Sequence, residues 1–265
     1  MGTIETGSKV AIVGGGPAGC FFALYLLKYA RGRGIRPEIT VYEPRDFHEP
    51  GPKGCKGCAG ILSASLLRNL SELDLILPEE IIQRRIECYT VHSPYASITL
   101  SKPDVDMQIV SVYRGGGARV SHGMSPTGFD GWLLGQAVTQ GVRVEAERVA
   151  SIYLGQEADL EVAGSKLRYD LIMLASGVNA SPLKVTGLEY VPPETRIMAQ
   201  DELHADAGDI ESRLGSTAHS FLIPHSGLIF GTMVPKGLCS RGYIAFWDGW
   251  RKVRPLVLTD HLTKP

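Results

Sequence analysis

The sequence predicts an α/β fold built on a parallel sheet with a β-meander, and three observations carry that reading. A β-branched apolar run over residues 9–13 leads through Gly14-Gly15-Gly16-Pro17-Ala18-Gly19 into a helical pattern and then a second β-branched run at 38–42. This strand–loop–helix–strand order spans about thirty residues, the shape of a βαβ crossover, and such crossovers build parallel sheets. A further apolar run at 170–175 (DLIMLA) follows four short strand-like segments. Runs apolar on both faces mark strands buried in a parallel sheet.

The elements follow in order. Residues 17–29 read as a helix, with Phe21, Leu24, Leu27 and Lys28 at helical spacing. Helices are expected at 62–70 and 78–85, the second opening on Pro78 with acids behind it. Short strands are expected at 86–91, 97–100 and 108–112. Residues 129–140 form an amphipathic pattern that stops before Gly141, a natural C-terminal cap. Strands at 142–145, 149–154, 159–162 and 166–169 then lead to the run at 170–175. Beyond Pro182 the pattern weakens, with strand-like pieces at 220–223 and 228–234. The sequence has no internal repeat and no low-complexity segment.

Composition bounds the function classes. The chain has 265 residues, 44% hydrophobic and 21% charged, which excludes disorder, collagen and coiled coil. Its 27 Lys and Arg nearly cancel 28 Asp and Glu, which argues against a nucleic-acid binder relying on bulk charge. Glycine is the outlier, with 31 residues, about 12% against a usual ~7%. The five cysteines are odd in number and scattered, and residues 1–9 lack a basic-then-apolar leader. The expected location is therefore cytoplasmic. Residues 10–27 carry no charge, but Gly14, Gly15, Gly16, Pro17 and Gly19 would break a spanning helix at its centre.

The strongest signal is the glycine loop itself. Gly14 allows a tight turn, Gly16 lets backbone approach a pyrophosphate, and Gly19 lets helix pack on strand. The helix N-terminus adds N–H donors and partial positive charge. Glu43 ends the second strand, 24 residues past Gly19, where a carboxylate accepts from a ribose 2′-OH. These features imply a Rossmann-type dinucleotide site.

With these residues in view the chain resembles the FAD-dependent oxidoreductases of the geranylgeranyl reductase type, within the p-hydroxybenzoate hydroxylase-like flavoproteins. The matching stretches are Val10 through Gly19, Val41-Tyr42-Glu43, Cys58-Ala59-Gly60, Tyr113-Arg114-Gly115, Phe129 through Leu133, Asp170 through Gly177 and Val234-Pro235-Lys236-Gly237. The resemblance implies that Gly14, Gly16, Ala18 and Gly19 cradle the FAD pyrophosphate, with Gly15 and Pro17 in the same loop. It implies that Glu43 binds the adenosine ribose, flanked by Pro44 and Arg45. Val149 would meet adenine through its backbone, and Ala175, Ser176 and Gly177 would lie near the pyrophosphate. Arg114 or Arg119 would be the cationic partner of the cofactor. The loop from Gly54 to Gly60, including Cys58, Ala59 and Gly60, would lie under the isoalloxazine.

Cys55 and Cys58 have CxxC spacing, so a metal clip, a redox dithiol and a structural bystander stand beside the flavin-loop reading. Zinc needs four ligands, and His48 is the only close addition. No metal is expected, and Cys58 is the one residue named as catalytic. His92, His219 and His225 are expected as isolated core or loop histidines.

The resemblance implies a FAD-binding domain at 1–85 and 113–180, with an antiparallel β-rich substrate domain inserted at 86–112 and 181–237. It also implies a Gly-Asp element and a terminal helix beyond residue 237. Neither is present, and residues 236–265 carry six Lys or Arg against two Asp or Glu. The expectation is a chain truncated at its C-terminus, with 238–265 an atypical tail. The implied activity is reduction of C=C bonds of an isoprenoid, with the electron donor open between NAD(P)H and a ferredoxin. The alternatives are a FAD-dependent aromatic monooxygenase and a non-catalytic dinucleotide-binding remnant. The expected partner is a small apolar substrate, with peripheral membrane association through a lipid substrate and no nucleic acid.

Overall fold

A computed structural model describes residues 3–49, 59–116, 128–177, 183–189, 191, 194, 198–222, 224, 228–237 and 241–248. The chain opens with β1 (Lys9–Val13), α1 (Pro17–Arg31), β2 (Glu38–Tyr42), β3 (Ile61–Leu62) and α2 (Ala64–Glu72). Next come β4 (Ile82–Arg85), β5 (Cys88–His92), β6 (Ser97–Ser101), β7 (Val110–Val112) and α3 (Phe129–Thr139). Then follow β8 (Arg143–Glu145), β9 (Val149–Leu154), β10 (Ala158–Val162), β11 (Ser165–Tyr169), β12 (Leu171–Leu174) and β13 (Lys184–Thr186). The last elements are β14 (Met198–His204), α4 (Ala207–Arg213), β15 (Thr217–Phe221), β16 (Leu228–Lys236) and β17 (Arg241–Asp248). The fold is mixed α/β. The chain divides into one unit of Met1–Ile82 with Val112–Glu194 and another of Gln83–Ser111 with Thr195–Pro265.

In the first unit, β1 lies between β12 and β2, and β8 completes a four-stranded parallel sheet in the order β12-β1-β2-β8. Val10, Ala11 and Ile12 are fully buried in its central strand. They are covered in part by α1, whose Ala23 and Leu24 are also fully buried. The meander β9–β10–β11 is antiparallel, and β13 adds to β9 in parallel. One core joins the two sheets: Ala11, Val13 and Tyr42 cluster with Val149, Ile152, Leu160 and Val162. The Tyr42 and Tyr169 hydroxyls meet at 2.5 Å within that contact. No helix among the described residues is long and apolar enough to cross a membrane.

One element expected as a helix is otherwise. Residues 78–85 form a single 3-10 turn at Glu79–Ile81 and then the strand β4. Pairing claims this backbone: the Ile86 N–H donates to the Ile109 carbonyl at 2.8 Å, and the Gly237 N–H to the Gln83 carbonyl at 3.1 Å. Such tertiary pairing outweighs the local Pro-and-acid start signal.

In the second unit a six-stranded sheet runs β14-β17-β16-β15-β5-β6. It is antiparallel except for the parallel pair β15–β5, so it is mixed where an antiparallel sheet was expected. The strand β17 belongs to residues expected as an atypical tail. It pairs with β14 at all seven positions from Met198 to His204 and with β16 on its other side. Nor are His92 and His219 isolated. His92 Nε2 and His219 Nδ1 lie 2.9 Å apart, and the two rings stack with Phe221 against His92.

Candidate functional site

The glycine loop joins β1 to α1, and its glycines differ in what a side chain would meet. Gly14 has φ +112°, and a Cβ there would overlap the Ala175 carbonyl oxygen and lie 2.7 Å from its carbon. A Cβ on Gly15 would lie 2.8 Å from Glu43 Cβ, and one on Gly19 would overlap the Gly14 carbonyl oxygen. Gly16 is different: within 4 Å of its Cβ position stands only Arg45 Nη2, at 3.8 Å, among the described residues. Three glycines are thus held by packing inside the protein. The fourth faces space that a ligand can fill.

Gly16 is also the N-cap of α1, with extended backbone, no side-chain cap and Pro17 behind it. No acid occupies the first turn. The first N–H groups of a helix have no partner within it, and their dipole favours an anion. Ala18 and Gly19 lie in this turn. Ala175 closes against the loop, its N–H donating to the Val13 carbonyl at 2.8 Å, with Ser176 and Gly177 following at φ +77° for Gly177.

Glu43 sits just past β2, with its side chain only 4% exposed. Its Oε2 accepts from the Gly15 N–H at 2.9 Å and from Arg45 Nη2 at 3.0 Å. Its Oε1 accepts from the Arg45 backbone N–H at 3.0 Å and from Arg45 Nε at 2.9 Å. Burial alone would push this carboxyl up; the Arg45 fork and the two backbone N–H bonds outweigh it and hold the group below its ordinary value. Pro44, between them, is exposed.

A second fork lies on α3. Arg114 Nε donates to Asp130 Oδ1 at 2.9 Å and its Nη2 to Oδ2 at 2.7 Å. Asp130, in the first turn of α3, is buried, and burial raises its carboxyl while Arg114 pulls it back. Close backbone approach sets this pair. The Phe129 and Asp130 N–H groups donate to the Tyr113 and Arg114 carbonyls at 2.8 and 2.9 Å. A Cβ on Gly128 would overlap the Gly115 carbonyl oxygen. Sequence reasoning did not single out Asp130 as a site residue; the available signal was a lone acid in the otherwise apolar start of α3, sixteen residues past an arginine.

The remaining expected site residues are dispersed. Val149 is buried in the core shared by the two sheets. Gly60 has φ +65° and its carbonyl accepts from the Val112 N–H at 2.8 Å, with Ala59 beside it. Cys58, Cys55, Arg119 and His225 lie outside the described residues. Among the described residues no group of three or more His, Cys, Asp or Glu could hold a metal. Cys20 is a buried thiol that donates to the Gly15 carbonyl at 3.1 Å. Burial pushes its pKa up to about 12, so it is no nucleophile near neutral pH.

No family model and no curated protein sequence matches the chain. Solved structures do match in fold. A geranylgeranyl bacteriochlorophyll reductase-like protein from Thermoplasma acidophilum superposes with a TM-score of 0.63 at 17% identity, over 93% of this chain and 57% of that one. The oxygenase acting on 2-methyl-3-hydroxypyridine-5-carboxylic acid gives 0.59 at 15% identity, over 94% and 60%. The flavin-dependent brominase Bmp2, as a triple mutant, gives 0.55 at 12%, over 90% and 56%. The chain therefore spans under two thirds of the length of each of these structures.

Proposed function

We propose that this chain is the dinucleotide-binding portion of a FAD-dependent oxidoreductase. The observation that carries the reading is Gly16: an uncapped helix N-terminus whose one unfilled Cβ position lies where a pyrophosphate would approach. The residues present fit the cofactor. The first-turn N–H groups of α1 would receive the pyrophosphate, Glu43 would accept from the adenosine ribose, and Gly14 and Gly15 would hold the loop in shape. Asp130 fixes Arg114 as a preorganised cation of the same unit. FAD, when bound, supplies hydride acceptance and delivery at its flavin ring.

The finer reading is reduction of C=C bonds in an isoprenoid, with NAD(P)H as donor, an apolar substrate and a cytoplasmic setting. It is supported by the motif resemblance and by the reductase-like protein among the fold matches. In this reading the second unit is the inserted substrate domain. Aromatic oxygenation is the second reading, favoured by the oxygenase that matches nearly as well. Purified protein is the first test: a yellow preparation that releases FAD on denaturation supports the cofactor reading. Protein that stays colourless after FAD is added points to the non-catalytic remnant. NADPH oxidation driven by a polyprenyl substrate without oxygen supports reduction, whereas dependence on oxygen and an aromatic acid supports oxygenation.

Glu43→Gln keeps the shape of the side chain and removes its charge. A hydrogen bond to a charged group is worth about 1.5–3 kcal/mol, so FAD affinity is expected to fall about ten-fold or more. Fluorescence titration checks this, and an unchanged Kd removes Glu43 from the site.

A further inference from the structure

The carboxylate of Glu43 has no acceptor position left for a ribose. An ionised carboxylate offers about four lone-pair sites. All four are engaged, one by the Gly15 N–H and three by Arg45 through its backbone N–H, Nε and Nη2. Arg45 is the partner able to leave: its side chain is 30% exposed against 4% for Glu43, and it rests over the Phe47 ring at 4.7 Å. Its Nη2 is also the atom nearest the open Cβ position of Gly16, at 3.8 Å.

Arg114 contrasts with it. By exposure the two forks are alike, with Arg114 at 36% and Asp130 at 4%. The difference lies in what remains: Glu43 keeps the backbone N–H donors of Gly15 and Arg45, whereas moving Arg114 takes away both hydrogen bonds of its fork and strands a buried charge. Among the described residues a third arginine, Arg168, forks the exposed Glu157 on the meander, and of these forks that of Arg45 is the one beside the glycine loop, on a carboxylate with a second claim on it.

We infer that Arg45 is an exchangeable latch, which forks Glu43 in the empty site and transfers to the cofactor's pyrophosphate as the ribose hydroxyls take its place on Glu43. This inference rests on the dinucleotide reading above. Charge stays matched throughout. The guanidinium trades a carboxylate for a phosphate anion, and Glu43 keeps the Gly15 and Arg45 backbone donors while gaining neutral hydroxyl donors. The exchange couples the two halves of the ligand. A nucleoside without phosphate must dislodge Arg45 with nothing to receive it, so it binds poorly. A ligand carrying both ribose and pyrophosphate completes the trade.

The test is isothermal titration of the full chain with ADP and with adenosine, before and after Arg45→Met, which keeps the packing on Phe47 and removes the fork. The parent is expected to bind ADP at least about ten-fold more tightly than adenosine. In Arg45→Met, ADP should weaken about ten-fold while adenosine tightens, because the Glu43 acceptors are vacated. A fixed phosphate contact would weaken ADP and leave adenosine alone, and a purely structural role would weaken both; either result overturns the exchange. If Arg45→Met fails to fold, Arg45→Gln reads the same pair of affinities with a polar side chain in place. A parent that binds neither ADP nor FAD overturns the dinucleotide reading, and the latch with it. A parent that binds both, with variants that shift ADP and adenosine alike, overturns the latch alone.

Discussion

Gly16→Val is expected to yield soluble, folded protein that has lost its flavin. The four glycines of the loop make this a discriminating change. Among the described residues a Cβ at Gly16 would meet only Arg45 Nη2 at 3.8 Å, an ordinary contact with the end of a flexible side chain. The backbone there is extended, with φ −71°, and valine adopts it without strain. The valine methyls would instead occupy the space above the α1 N-terminus and hold the pyrophosphate beyond hydrogen-bonding distance of the N–H groups. Circular dichroism and the ratio of flavin to protein after purification check the result. Near-parental dichroism with no flavin is expected, and flavin retained at the parental ratio would remove the cradle assignment. Gly19→Val is the internal control. Its Cβ overlaps the Gly14 carbonyl, so it should lose fold and flavin together.

Arg114→Ala is expected to destabilise the first unit by about 3 kcal/mol, because it leaves Asp130 buried without its bidentate partner. For a chain of this size that corresponds to a fall in Tm of roughly 6–12 °C. The pH dependence separates this cause from lost packing. Asp130 already titrates above its ordinary range, through burial opposed by Arg114. Removing the arginine raises the folded-state value further, while the unfolded value stays near 3.9. An acid whose folded pKa is raised binds its proton more tightly when folded, so the penalty grows as pH climbs from the unfolded value to the folded one and is constant above it. The loss in Tm should be larger at pH 8 than at pH 5, and Arg114→Ala with Asp130→Asn should recover much of it. A loss independent of pH would show that packing, not the stranded carboxylate, is responsible.

How much was legible in the sequence depended on whether local pattern and tertiary demand agreed. The strands β1, β2 and β9 fall at the residues expected: in β1 and β2 every position after the first is buried, and all three are rich in the β-branched and apolar residues such strands favour. The strand β14 (MAQDELH) was not legible. It has neither alternation nor an apolar run, and β17 pairs along its whole length. Residues 241–248 were expected as part of an atypical tail because they depart from the pattern of the resembled family and lie in a stretch rich in positive charge, although GYIAFW is a strand-forming run. Within the site, the glycine spacing announced a phosphate loop but not which glycine faces the ligand. That depends on Ala175, Glu43 and Arg45 approaching from distant or looped chain, which no spacing rule encodes. Asp130 was obscure for the same reason, since its partner is placed by the backbone contact of Gly128 with Gly115.

The position of β17 bears on how the second unit can be synthesised. In the sheet β14 has one neighbour, and that neighbour is the last strand of the described chain. Residues 198–204 therefore emerge from the ribosome with no partner and wait until residue 248 has followed them. At the other end β5 must wait for β15, more than 120 residues later, before its parallel pairing can form. Translation adds about 5–20 residues per second, so both open edges persist for seconds. The pairing of β1 with β2 has no such delay, since both lie within one short stretch of chain, but β12, on the other side of β1, and Ala175, against Gly14, arrive only about 160 residues later. Vectorial synthesis thus favours a nascent chain whose β1–β2 crossover pairs early, while the strands that complete its sheets arrive late and leave edges open to chaperones in the meantime.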